Sequence, residues 1–183
     1  MTRKCKVCGE SFAPHQAFQT WCSVEHGVII ATRKLDQVKQ AEQAKDKRET
    51  KQKLEKLKSK AQWAKEAQAA FNAFIRERDA DHPCISCGRF HDGQYHAGHY
   101  LSVGAHPELR FDESNVHKQC APCNTHLSGN AVLYRKGLIA RLNIGVVEFL
   151  EGPHDLRKDT IESLMLIKKH YVEKTKQLKA IQA

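Results

Sequence analysis

The sequence has no run of about 18 apolar residues, so no membrane span is expected. Its start, Met1-Thr-Arg-Lys-Cys5, lacks the apolar stretch of a secretory signal. Aromatic residues are scarce at 7%, and hydrophobic residues reach only 40% of 183, too few for one large apolar core. One or two small domains fit that length, and metal clips would offset a thin core. Acidic residues are in deficit, 21 against 30 basic, which leaves a net charge of +9 with neutral His. That balance points to a polyanionic partner, nucleic acid first. The seven cysteines are an odd number, which argues against a closed disulfide framework. A reducing, cytosolic setting follows, where thiolates remain available to zinc.

All seven cysteines fall into metal-ligand spacing. Cys5-x2-Cys8 is followed by Cys22 and, four positions on, His26; His15 is the alternative fourth ligand. Cys84-x2-Cys87 is followed by Cys120-x2-Cys123. Each set of four suits a tetrahedral structural Zn2+. The unit at 1–27 has few apolar anchors (Phe12, Phe18, Trp21), so its folding should be coupled to metal binding.

Glycine and proline are absent from Val28 to His82, where Lys, Gln, Glu and Ala favour helix. One continuous helix would reach roughly 80 Å there, at about 1.5 Å per residue. Its halves differ. Residues 31–60 carry 11 basic and 5 acidic residues around isolated Leu35, Val38, Leu54 and Leu57, and read as a projecting basic arm. That arm serves as a spacer, a DNA-phosphate contact or a pairing surface for a second copy. Residues 61–78 place Trp63, Ala67, Ala70, Phe71, Phe74 and Ile75 at helical spacing, a stripe that should pack on a core. Turn residues dominate 84–130, residues 131–152 look helical and apolar, and Gly152-Pro153 breaks the chain. A last helix should start near Asp159-Thr160, either of which could cap it.

The 32 residues between the second pair of knuckles hold His96-Ala-Gly-His99-Tyr100 and Arg110-Phe-Asp-Glu-Ser-Asn115; Asn124 directly follows the last cysteine. A strand with a His, a loop with an Asn and a helix start with Asn or His, between Cys-x2-Cys knuckles, resembles the HNH (ββα-metal) nuclease family. The resemblance implies that His99 is the general base that activates water. It implies that Asn115 holds the loop and that Asn124 ligates a catalytic Mg2+ or Mn2+. The family usually has Asp directly before the base; here Gly98 stands there. His96 is the candidate substitute ligand, with His117 and His126 as further candidates. Apart from any resemblance, a neutral imidazole can accept a proton near pH 7, and an amide oxygen suits a hard ion.

Further runs carry a likeness that extends over most of the chain: Phe71-Asn-Ala-Phe-Ile-Arg-Glu-Arg-Asp79, Pro83-Cys-Ile-Ser-Cys-Gly88, Ala97-Gly-His-Tyr100, Leu109-Arg-Phe111, His117-Lys-Gln-Cys120, Cys123-Asn124 and Ser128-Gly-Asn130. They are similar to the NinG (Rap) family of lambdoid phage recombination proteins. That likeness implies a structure-specific endonuclease acting in the host cytoplasm on branched double-stranded DNA, Holliday junctions and D-loops. The expected fold is α+β: a small zinc-stabilised HNH-like core at 61–152 with long flanking helices. An N-terminal zinc-binding module (1–27), the basic arm (28–60) and a C-terminal helix (153–183) complete it. Symmetric cutting of a four-way junction would need two active sites, hence a homodimer. The rival expectation is a non-catalytic, zinc-dependent nucleic-acid-binding or regulatory protein on the same scaffold.

Overall fold

A computed structural model describes residues 2–182, which fall into two compact units, one ending at Lys58 and the other starting at Ser59. In the first unit, strands β1 (Arg3–Lys4) and β2 (Ser11–Phe12) pair antiparallel around a tight knuckle. Cys5 donates its amide to the Glu10 carbonyl, and the Gly9 amide returns to the Cys5 carbonyl, 2.9 Å each. Gly9 sits at φ 78°, a conformation that costs glycine little. Helix α1 (Val24–Lys56) then starts behind Ser23, whose side chain accepts from the His26 amide at 3.4 Å. His26 therefore lies in the first helical turn, so the zinc module runs into the basic helix without a joint at residue 27. No residue of α1 is buried.

The helical region is not one rod of 80 Å. It is interrupted at Leu57–Ser59, and α2 (Lys60–Arg78) begins anew. A capping box makes the break: the Gln62 amide donates to Ser59 Oγ (3.3 Å) and the Ser59 amide to Gln62 Oε1 (2.7 Å). The stripe of α2 packs as its spacing requires. Trp63, Ala67, Phe71, Phe74 and Ile75 are buried with Phe111, Val116, Leu164 and Tyr171. Phe71 meets Phe111 and Tyr171 edge-on, at centroid distances of 5.7 and 4.7 Å. Leu164 and Tyr171 come from α5 (Ile161–Gln182), so the C-terminal helix shares the core of the second unit. Thr160 caps α5: its Oγ1 accepts from the Ser163 amide at 3.2 Å, and Ser163 Oγ accepts in return at 2.9 Å.

Strands β3 (Tyr95–His99) and β4 (Val116–Cys120) form an antiparallel pair with His96 opposite Gln119, Gly98 opposite His117 and His99 opposite Val116. Arg78 and Asp79 tie the end of α2 to β4. Arg78 holds Asp79 through two bonds of 2.8 and 3.0 Å and donates to the Glu113 and Val116 carbonyls, while Asp79 Oδ2 accepts from the Lys118 amide. After β4 the chain makes a five-residue turn of π type, Pro122–His126. Ser128, Gly129 and Asn130 then take left-handed conformations before α3 (Ala131–Arg141). The expected apolar stretch 131–152 is two helices, α3 and α4 (Ile144–Glu151), divided at Asn143, which caps the second.

Ile85, Leu109, Tyr134, Leu138, Val147 and Leu150 make a second core. Here α3 presses on the zinc knuckle through Gly137, where an added Cβ would overlap the Ile85 carbonyl oxygen. Gly137→Ala should therefore cost about 1–3 kcal/mol and lower the melting temperature by several degrees. An unchanged thermal melt would contradict this close approach.

Candidate metal centres and active site

The first cluster joins Cys5, Cys8, Cys22 and His26, with one ligand atom of each within 4.8 Å of the others. His26 Nδ1 lies 3.1 Å from Cys22 Sγ and 3.5 Å from Cys5 Sγ, and Cys8 and Cys22 sulfurs are 3.7 Å apart. Zinc with Zn–S bonds of about 2.3 Å sets tetrahedral sulfurs roughly 3.8 Å apart. A disulfide would need about 2.05 Å. The donors therefore fit zinc. His15 is outside the cluster; its amide donates to Gln19 Oε1.

Cys84, Cys87, Cys120 and Cys123 form the second cluster, with Cys87 and Cys120 sulfurs 4.0 Å apart. Its knuckle repeats the first. Gly88, at φ 67°, donates to the Cys84 carbonyl at 2.9 Å. A contact not foreseen in the sequence is His91 Nε2, 3.2 Å from Cys87 Sγ. Burial alone would raise the Cys87 thiol, but His91 and the Arg89 amide outweigh it and bring the pKa down to about 6. The thiolate is thus favoured at Cys87, whereas burial pushes Cys120 up to about 12 and raises Cys123 as well.

Between these knuckles, Asn115 is wholly buried and fastens the loop 101–115. Its Oδ1 accepts from the Leu101 amide at 2.9 Å, and its Nδ2 donates to the Leu101 and Leu109 carbonyls at 3.0 and 3.2 Å. The next carbonyl, of Arg110, lies 3.1 Å from His99 Nε2. A carbonyl only accepts, so Nε2 carries the proton and Nδ1 keeps a lone pair. Burial holds His99 below the ordinary imidazole pKa, with the Arg110 charge adding to the effect and the carbonyl opposing it. Its neutral form is thereby favoured.

Side chains alternate along a strand, and directly opposed residues share a face. His96, Gly98, His117 and Gln119 therefore belong to one face of the β3–β4 pair. Ala97, His99 and Val116 belong to the other, where Ala97 and Val116 join the α2–α5 core. On the first face, Asn124 Nδ2 donates to His96 Nδ1 at 2.8 Å. Asn124 Oδ1 backs Gly98, 3.1 Å from where a Cβ would stand. The structure thus brings His96, Asn124 and Gln119 together, with His99 one residue along at the strand end on the opposite face.

His117 does not join this group. Its ring is 2% exposed and lines a cleft with Arg78, His82 and Arg141; burial, aided by the charge of Arg78, pushes its pKa down to about 3. The cleft also holds Asp79 and Glu113, and the His117 side chain lies in neither cysteine cluster. His126 is exposed at the end of the π-type turn and belongs to neither cysteine cluster. Tyr100 bonds Glu151, and Arg110 reaches across to Gln68 Oε1 at 2.8 Å, so both are occupied within the fold.

The family model described as Bacteriophage Lambda NinG protein matches residues 1–181. The chain belongs to the NinG family. It is 48% identical to Protein ninG of Salmonella phage P22 over 190 residues, 97% of this chain and 94% of that protein. Protein ninG of Escherichia phage 933W is 47% identical over 188 residues, with the same shares covered. The NinG protein of Escherichia phage lambda is 47% identical over 97% of this chain and 93% of its own length. No solved structure matches the chain significantly. Among the described residues, no helix of this NinG-family chain is long and apolar enough to cross a membrane.

Apolar residues are few in this chain, so the folding free energy should depend on metal at both clusters. Cys120→Ala should lose one zinc per chain by elemental analysis and abolish the cooperative melt of the second unit. A melt equal to that of the unaltered protein would remove the zinc assignment.

Proposed function

We propose that this NinG-family protein is a metal-dependent, structure-specific endonuclease. Its substrates are phosphodiesters in branched DNA, Holliday junctions and D-loops, during phage recombination in the host cytoplasm. One observation carries the reading: His99 Nε2 lies 3.1 Å from the Arg110 carbonyl, which only accepts, and burial holds the imidazole pKa below its ordinary value. The lone pair on Nδ1 is then available to take a proton from the attacking water. Asn115 positions this base indirectly, because it grips the carbonyls on either side of the loop that supplies the Arg110 contact. The β3–β4 hairpin followed by the Pro122–His126 turn has the order of a ββα-metal unit, with a short turn where that family has a helix start. A Mg2+ or Mn2+ ion held near Asn124 would neutralise charge on the phosphate and leaving oxygen. The zinc ions would serve structure only.

DNA is the partner that fits a net charge of +9 and a basic α1 that buries none of its residues. A homodimer would offer the paired active sites that a symmetric junction requires. The second reading, a binder without catalysis, is favoured by Gly98, since no carboxylate joins His96 and Asn124. Labelled four-way junction, compared with a matched linear duplex in Mg2+, Mn2+ or EDTA, separates the two. Metal-dependent cutting of the junction supports the enzyme, and intact junction in every metal supports the binder.

His99→Ala should lower the cleavage rate by about 10²–10⁴-fold while leaving junction affinity and the melt unchanged. Because the base works unprotonated and its pKa is lowered, log kcat/KM should rise with pH and level off below about 6.5. A limb that continues to rise above pH 7.5, or full activity in His99→Ala, would remove His99 from this role.

Replacing Lys51, Lys53 and Lys56 with Ala should weaken junction binding and reduce the slope of log K against log salt by up to about 3. An unchanged slope would take α1 out of the DNA contact.

A further inference from the structure

Gln119 is wholly buried, yet its Oε1 has no hydrogen-bond donor among the described residues. Burying such a group is costly if nothing satisfies it. The amide cannot be turned around to relieve it. Nε2 donates to the Gly129 carbonyl at 2.6 Å, which only accepts, and lies 2.7 Å from Ser86 Oγ. These two contacts aim Oε1 at Gly98, where an added Cβ would overlap it and would also stand 3.1 Å from Asn124 Oδ1. Asn124 presents Oδ1 to the same place, with its Nδ2 2.8 Å from His96 Nδ1. Two amide oxygens thus converge on the bare backbone of Gly98, with their own donors turned away.

We propose that Gln119 Oε1 and Asn124 Oδ1 are a pair of neutral oxygen ligands for a hard divalent cation, Mg2+ or Mn2+, over Gly98. His96 is the positioning residue that sets the Asn124 amide. Gly98 is then not a lost ligand: the absence of its side chain makes room for the Gln119 oxygen. Two carbonyl oxygens suit Mg2+ and Mn2+ better than the softer ions that a pair of imidazoles would select. They bring no negative charge, so the ion should bind weakly to the protein alone and more tightly beside a DNA phosphate. By linkage, the ion should tighten DNA binding by the same factor.

This inference rests on the nuclease reading for its purpose, but its readout is metal binding and requires no cleavage. The zinc-loaded, 15N-labelled full chain is titrated with Mn2+, and side-chain amide signals are followed by NMR. The Gln119 and Asn124 NH2 signals should broaden first, at Mn2+ well below one equivalent. Gln119→Met, with both zincs and its melt retained, should bind Mn2+ at least about tenfold more weakly, and His96→Ala about 10–100-fold. Sharp Gln119 and Asn124 signals, meaning that a bridging water alone satisfies the two oxygens, would overturn the site even if the protein cuts DNA. Broadening confined to exposed histidines such as His126 would overturn it equally. Broadening at Gln119 in a protein that never cuts DNA would leave the site standing and remove the nuclease reading.

Discussion

Four cysteines gathered at the two ends of one hairpin, in a set that could hold zinc, are the constraint on which the second unit depends. Cys84 and Cys87 come from the knuckle after α2, and Cys120 and Cys123 from the end of β4 and the turn beyond it. The chain between them carries every residue of the candidate active site except Asn124, which directly follows the clamp. A long loop closed by a strong cross-link loses much of its conformational entropy in advance. The two apolar cores on either side are small, and each leans on this clamp. Phe111 and Val116 meet α2 and α5 on one side. Ile85, inside the knuckle itself, meets α3 and α4 on the other.

The same hairpin divides the chemistry between its faces. On one, His96 sets Asn124 and the Gln119 oxygen faces Gly98. On the other, a loop pinned by Asn115 delivers a carbonyl to His99. Tyr134 stitches the strands where the faces diverge, donating to the Gly98 carbonyl at 2.7 Å and accepting from the His117 amide at 2.9 Å. A glycine at 98 is a packing requirement in this arrangement. It also keeps a negative charge out of the group around Asn124, so any ion there would look to the substrate for neutralisation.

Cysteine spacing made both four-ligand clusters legible, because Cys-x2-Cys is a local geometry that hardly depends on the rest of the fold. The stripe of α2 was equally legible, since its 3.6 period marks one face. The helix break was written in Ser59-Lys-Ala-Gln62, a capping-box pattern overshadowed by the absence of Gly and Pro. Gln119 was not legible. Its meaning comes from a cross-strand register, from Gly129 ten residues on and from a missing Cβ on the neighbouring strand. The surroundings of His117 were not legible either. It sits among ligand-like histidines in sequence, but the fold turns it toward Arg78 and Arg141. His91 escaped notice because its contact with Cys87 depends on how the knuckle loop closes.

Zinc K-edge X-ray absorption on the purified protein tests the central constraint most directly. Three cysteines with one histidine, and four cysteines, predict seven sulfurs and one nitrogen over two zincs, with Zn–S near 2.3 Å. A first shell dominated by oxygen or nitrogen, or the absence of zinc from a folded sample, would contradict the account at its base.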